Sequence, residues 1–245
     1  MPFEPAHQPA ERAGALLARY YHTLLSRLGP QGWWPARTRF EVILGAILTQ
    51  NTSWKNVELT MARLRHTGLL RLSRLKEASR SELEWCVHPS GFFRQKVSTI
   101  QNLLAWLDGT CAGSLSVMFA RPLAQLRCDL LQIRGLGPET VDAILLYAGR
   151  KPFFVADAYT RRVLARHQLV PDRASYSKVQ EFLHQSLPPD AGLFNEYHAL
   201  LVEVGKSWCR KAEPRCEECP LREFLPAREV ASDAPRVSNS EIHER

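Results

Sequence analysis

Three groups of residues in this chain have types and spacings that could do chemistry: one aspartate, a set of loop-borne tryptophans, and three closely spaced cysteines. The aspartate, Asp157, closes the short apolar run Phe153-Phe154-Val155-Ala156. It precedes a helix predicted from Thr160, Val163 and Leu164. A carboxylate there is a natural N-cap, and a cap alone would account for it. Twenty residues earlier, Gly137 ends the turn Gly135-Leu136-Gly137 between two apolar-periodic segments. Pro138 suits the first position of the second helix, having no N–H to lose and a preset φ. Glycines at both ends of the turn let the backbone take φ > 0 and approach another molecule closely. The free amides of the Pro138 helix beside them make a phosphate-sized anion site. Gly-Leu-Gly on its own is equally an ordinary αα-hairpin turn.

The tryptophans lie on two segments. Trp33-Trp34-Pro35 follows the stop signal Gly29-Pro30-Gln31-Gly32, and Trp54 opens a helix after the polar interruption Thr49-Gln50-Asn51-Thr52-Ser53. Any one of them can plug a core. Two adjacent tryptophans on a loop cannot both enter one helical face, so at least one is expected to be available for stacking. Gln50 sits at the tip of the interruption, where an amide either bonds local backbone or reaches a partner. Asn51 and Thr52 are expected to cap the following helix.

Cys209, Cys216 and Cys219 are spaced C-x6-C-x2-C, a density that reads as metal binding rather than disulfide. No histidine stands at a zinc-finger spacing. Cys86, Cys111 and Cys128 are scattered and read as small apolar residues. Net charge is +7, with Arg150 and Lys151 before Asp157 and Arg161, Arg162 and Arg166 after it. That balance suits a polyanionic partner. No apolar run reaches membrane-spanning length and no signal peptide precedes the first helix, so a cytoplasmic monomer is expected, working at the nucleoid if its partner is DNA.

These groups have to be held by helices. Leu16, Leu17, Tyr20, Tyr21, Leu24, Leu25 and Leu28 predict a helix over 10–28, and further helices are predicted over 40–48, 54–66, 96–107, 122–131, 176–187 and 193–207. Ser79-Arg80-Ser81-Glu82 is a capping box before another. No stretch alternates with period two, so the fold class is all-α. Residues 1–9 read as a loose leader and 226–245 as a disordered tail.

The glycine turn, with an aspartate at this distance after it, resembles the helix-hairpin-helix DNA glycosylases of the endonuclease III superfamily. Trp-Trp-Pro, and LTQNT followed closely by an aromatic, resemble that superfamily's 3-methyladenine DNA glycosylase branch. The resemblance runs from the first helix to about Leu225. It implies two helical lobes, 1–31 with 152–225 and 32–151, the hairpin lying at the cleft between them. It implies double-stranded DNA as partner, Asp157 as the catalytic carboxylate, and a base pocket of Trp33, Trp34, Pro35, Trp54 and Glu139. DNA contacts would come from Gln50, Asn51, Gly135, Leu136, Gly137 and Thr140, with Gln50 filling the gap left by an extruded nucleotide. Stacking between aromatic faces suits a flipped base, and an electron-rich indole favours a cationic N-alkylated purine.

Two departures matter. Bifunctional members carry a lysine where this chain has Glu139, and a carboxylate cannot form a Schiff base. A monofunctional enzyme using water is therefore implied. The family's iron–sulfur loop is C-x6-C-x2-C-x5-C, and its fourth position falls at Leu225, which cannot ligate. A [4Fe-4S] cluster with a substitute ligand at Cys209, Cys216 and Cys219, a loop held by packing, and a zinc site remain open. A glycosylase for mismatched or oxidised bases, with or without lyase activity, and a non-catalytic DNA clamp are the alternative functions.

Overall fold

The computed structural model of the chain describes residues 10–226. The leader over 1–9 and the tail beyond Pro226 lie outside them. Among the described residues there are helices, turns and loops but no strand, as the absence of period-two alternation required.

The first helix, α1 (Ala10–Leu28), buries Ala13, Leu17, Tyr20 and Leu24 along one seam at alternating steps of four and three. Next comes α2 (Arg39–Leu48), buried from Phe40 to Leu48 and therefore the central helix of its region. Thr38 starts it by accepting the Glu41 amide on its hydroxyl at 3.1 Å. Around α2 lie α3 (Trp54–His66), α6 (Phe93–Cys111) and the hairpin, with α4 (Leu72–Glu77), α5 (Arg80–Val87) and α7 (Leu115–Ala120) outside them. The hairpin consists of α8 (Leu123–Leu131) and α9 (Pro138–Ala143), which runs on as a π-helical turn over Ile144–Ala148. Then follow α10 (Ala158–Arg166), α11 (Tyr176–Ser186) and α12 (Ala191–Ser207). α12 packs along α10 and against α1. The approach of α10 and α12 is close enough that a Cβ on Gly205 would stand 2.5 Å from the Tyr159 ring.

Several boundaries differ from the sequence reading. Asp108-Gly109, expected to end α6, lie inside it, because the buried stripe Leu103, Leu107, Cys111 continues for one more turn. The helices α4 and α7, six residues each, are too short to show a period and were not anticipated. Asn51 and Thr52 do not cap α3. Ser53 holds the N-cap position, and Asn51 takes a left-handed φ of 51°. The interruption therefore turns one residue later than its polar residues suggest.

Two buried polar groups tie the architecture to the hairpin. Lys96 of α6 donates to the carbonyls of Leu48 and Ser90 at 2.8 and 2.7 Å, fixing the end of α2. Asp142 of α9, fully buried, accepts Nε and Nη2 of Arg127, the Tyr176 hydroxyl and the Gln180 amide at 2.7 to 3.0 Å. The same Gln180 amide donates to the Phe154 carbonyl, three residues before Asp157. A buried carboxylate with this many donors is fully compensated, and losing one partner would leave an unpaired charge. The network thus locks α9 to α11 and to the strand-like segment leading into Asp157.

Candidate active site

Asp157 is the N-cap of α10, and its Oδ1 accepts the Thr160 amide at 2.7 Å. The cap is real, but it uses one oxygen only. The other, Oδ2, lies 3.6 Å from Nε2 of His198 on α12. Burial pushes the carboxyl's pKa up, yet the imidazole and the Thr160 bonds together outweigh it and hold the group below the ordinary carboxylate range. The start of α10 adds the partial positive charge of its free amides. His198 is itself buried, and its Nδ1 shares a hydrogen bond with the Tyr147 hydroxyl. Burial first, and then the charges of Asp157 and Glu196, keep that hydroxyl well above the usual phenol pKa.

The chain of contacts continues into the tryptophans. Trp34 packs on Tyr147 with ring centroids 5.2 Å apart, and Trp33, Trp34 and Trp54 sit mutually at 5.3 to 5.5 Å. All three are half-buried and lean on the hydrophobic core. Trp34 fits because Gly45 of α2 has no side chain; a Cβ there would stand 3.0 Å from the indole. Trp54 donates its Nε1–H to Glu58 at 3.0 Å, while the ammonium of Lys206 lies 5.4 Å from the Trp33 ring. Pro35 is exposed beside them. Each indole is thus part core plug and part surface.

In the hairpin the two glycines differ. Gly135 has φ +100°, and a Cβ there would collide with Thr99 Oγ1 at 2.0 Å. Gly137 does not use that freedom. As the N-cap of α9 it is extended, at φ −88° and ψ 169°, and a Cβ there would meet nothing within 4 Å. Neither backbone strain nor internal packing demands glycine at 137. Leu136 turns inward: its side chain is buried and its N–H is taken by the Ile133 carbonyl at 3.0 Å. Thr140 is also buried, its hydroxyl accepting the Gln50 amide at 2.8 Å, and the same amide reaches the Gly135 carbonyl at 3.1 Å. Gln50 thus braces the hairpin in this state. Glu139 stands on the first turn of α9. Partial desolvation, and then the charge of Asp157, raise its pKa against the opposing effects of His198 and Arg161.

Sequence reasoning missed three residues. His198 and Tyr147 lie inside helical stripes and come to Asp157 only through the packing of α12 and the π-helical turn. Phe92 carries a fainter signal, an aromatic straight after Ser90-Gly91. It is 61% exposed and holds a left-handed φ of 47° at the start of α6. That combination is costly for a bulky apolar residue.

The cysteine loop is assembled differently. Cys209 and Cys219 are buried and Cys216 half-buried. Cys209 Sγ accepts from Arg166 Nη1 at 3.1 Å, and Arg162 donates to the carbonyls of Cys209 and Gly205. Burial pushes the thiol pKa values of Cys209 and Cys219 up. Among the described residues, no three His, Cys, Asp or Glu side chains are grouped to hold a metal ion. Three thiols with Leu225 in the fourth place do not make the donor set of a four-thiolate cluster. The loop is instead pinned by its neighbours. Phe224 packs on Tyr20 at 4.7 Å and beneath the Arg19 guanidinium at 5.0 Å.

Comparison with known proteins agrees with this fold. Residues 44–189 match the model of the HhH-GPD superfamily base excision DNA repair protein, and the chain belongs to that family. It is an endonuclease III-like base excision repair DNA glycosylase. A Methanocaldococcus jannaschii protein named "Putative DNA repair glycosylase MJ1434" is 39% identical over 210 residues, covering 85% of this chain and 95% of the relative. Endonuclease III of Sulfolobus acidocaldarius is 26% identical over 189 residues, covering 77% and 82%. A non-covalent endonuclease III–DNA complex superposes with a TM-score of 0.73 at 20% identity over 86% of this chain and 94% of that one, a likeness of fold. Helicobacter pylori 3-methyladenine DNA glycosylase (MagIII) bound to 1,N6-ethenoadenine gives 0.67 at 26% identity over 81% and 98%.

Proposed function

We propose that this glycosylase is monofunctional and removes alkylated purines of the 3-methyladenine type from duplex DNA. The observation that carries the reading is the continuous contact from the three indoles through Tyr147 and His198 to Asp157. A base held against the indoles would leave its sugar near the carboxylate. The hairpin, open at Gly137, receives a backbone phosphate at the α9 amides, and the basic residues flanking Asp157 add a salt-dependent attraction to the strand. A released Gln50 occupies the space the base vacates, once it gives up its two bonds to the hairpin.

The bond between C1′ and the purine nitrogen then breaks, its electron pair leaving with the base. A cationic alkylpurine departs neutral and needs no acid. Asp157 stabilises the positive charge that grows on the sugar, as carboxylates do in glycoside hydrolysis. Water adds to C1′, and its proton passes to Asp157 or to solvent. With Glu139 where lyases have an amine, no Schiff base forms and the strand stays intact.

The test is base release from duplexes carrying single lesions, followed by alkali to split abasic sites. Release of 3-methyladenine-type bases, with cleavage only after alkali, supports the proposal. Cleavage without alkali refutes the monofunctional part, and release restricted to oxidised or mismatched bases refutes the substrate class.

A further inference from the structure

His198 carries no role in the proposed chemistry, yet its position is unusual. It is a buried imidazole on α12 with one nitrogen committed and one not. Nδ1 is bonded to the Tyr147 hydroxyl, while Nε2 has no hydrogen-bond partner and lies 3.6 Å from Asp157 Oδ2. The tautomer follows from electrostatics. A bare Nε2 lone pair facing a carboxylate would bury two acceptors against each other, whereas an Nε2–H satisfies both. The Tyr147 hydroxyl then donates to Nδ1. Carboxylate contacts of this kind are often long in the unbound state and shorten when substrate is bound.

We propose that His198 is a positioning residue for Asp157, its Nε2–H holding Oδ2 while Thr160 holds Oδ1, and that Tyr147 transmits the packing of Trp34 to this pair. A fixed donor at Oδ2 keeps the carboxylate's orientation set while charge grows on the sugar. The inference rests on Asp157 being the catalytic carboxylate. Around this pair, Glu139 from α9 and Tyr147 from the π-helical turn feel the Asp157 charge, while Arg161 from α10 acts on Glu139 and Glu196 of α12 on Tyr147.

The test uses the full chain carrying 13C-labelled aspartate, with His198→Leu, His198→Gln, Glu139→Gln and Asp157→Asn. Without the imidazole, burial acts on Asp157 unopposed by it. The His198→Leu substitution should raise the Asp157 titration midpoint. The acid limb of base release from methylated duplex DNA should move the same way. His198→Gln keeps a donor and should restore most of both, whereas Glu139→Gln should move the midpoint slightly downward. In the wild type, nitrogen-15 imidazole spectra should show the Nε2–H tautomer. An unchanged Asp157 midpoint in both His198 variants, or the Nδ1–H tautomer, overturns the proposal. Asp157→Asn separates the two readings. If it releases base at the wild-type rate, the catalytic assignment has failed, whatever the titrations show.

Discussion

The Asp157 region and the cysteine loop each carry residues at a family's spacing, and the fold treats them in opposite ways. Around Asp157 the spacing is completed by residues from elsewhere: Thr160 from its own helix, His198 from α12, and Tyr147 with Trp34 behind it. Around Cys209 the spacing is left at three thiols, and the space is filled by arginine contacts and the Tyr20–Phe224 packing. A motif is thus a proposal by the sequence that tertiary contacts either complete or turn to another use. In this chain the carboxylate has gained partners suited to its charge. The thiols have gained burial and the arginine neighbours Arg162 and Arg166.

The contrast can be broken most directly at Asp157. Asp157→Asn removes the charge but keeps a cap acceptor, and should slow single-turnover base release about a hundredfold or more while duplex affinity changes little. An equal loss of affinity would mean that the residue only holds the fold. The next effect belongs to the hairpin. Gly135→Ala forces a side chain into a left-handed backbone and into Thr99, and should cost about 2 kcal/mol or more in a denaturant titration. Gly137→Ala should leave stability within about 0.5 kcal/mol, since its φ is ordinary and the space around it is open, yet weaken binding to duplex DNA. Equal loss of stability in the two variants would remove the case for Gly137 as the open face.

Smaller effects test the indoles. Trp54→Ala should cost about 1–3 kcal/mol in the affinity for lesion-bearing over undamaged duplex, the scale of one aromatic–base stack. Lys206→Ala frees a face of Trp33 and should shift preference toward cationic bases over neutral ones, read as a ratio of release rates. The smallest effect is expected at the other pole. Replacing Cys209, Cys216 and Cys219 together by alanine should leave base release unchanged and lower the melting temperature by only a few degrees, with no iron in the wild-type protein by elemental analysis. Stoichiometric iron, or a dead triple variant, would show that the loop is completed after all.

The helices were legible wherever a long apolar stripe recorded them, as at Leu17, Tyr20 and Leu24 or at Val141, Ile144 and Leu145. They were illegible where six residues bury one or two side chains, as in α4 and α7. The site divides in the same way. Asp157, the indoles and the glycine turn stand in local patterns. His198 stands 41 residues beyond Asp157 in an unremarkable helical stripe, and only the packing of α12 on α10 delivers it.

By itself, then, the sequence determined the all-helical class, the turn with its following carboxylate, and a second carboxylate, Glu139, two residues after that turn. These depend on residue type and short-range period, which neighbouring side chains cannot rewrite. Tertiary structure decided which glycine is strained, where the Gln50 amide points, what surrounds the thiols and which imidazole faces Asp157. Each of these depends on distances between segments far apart in the chain, and on the need to pair every buried polar group once those segments meet.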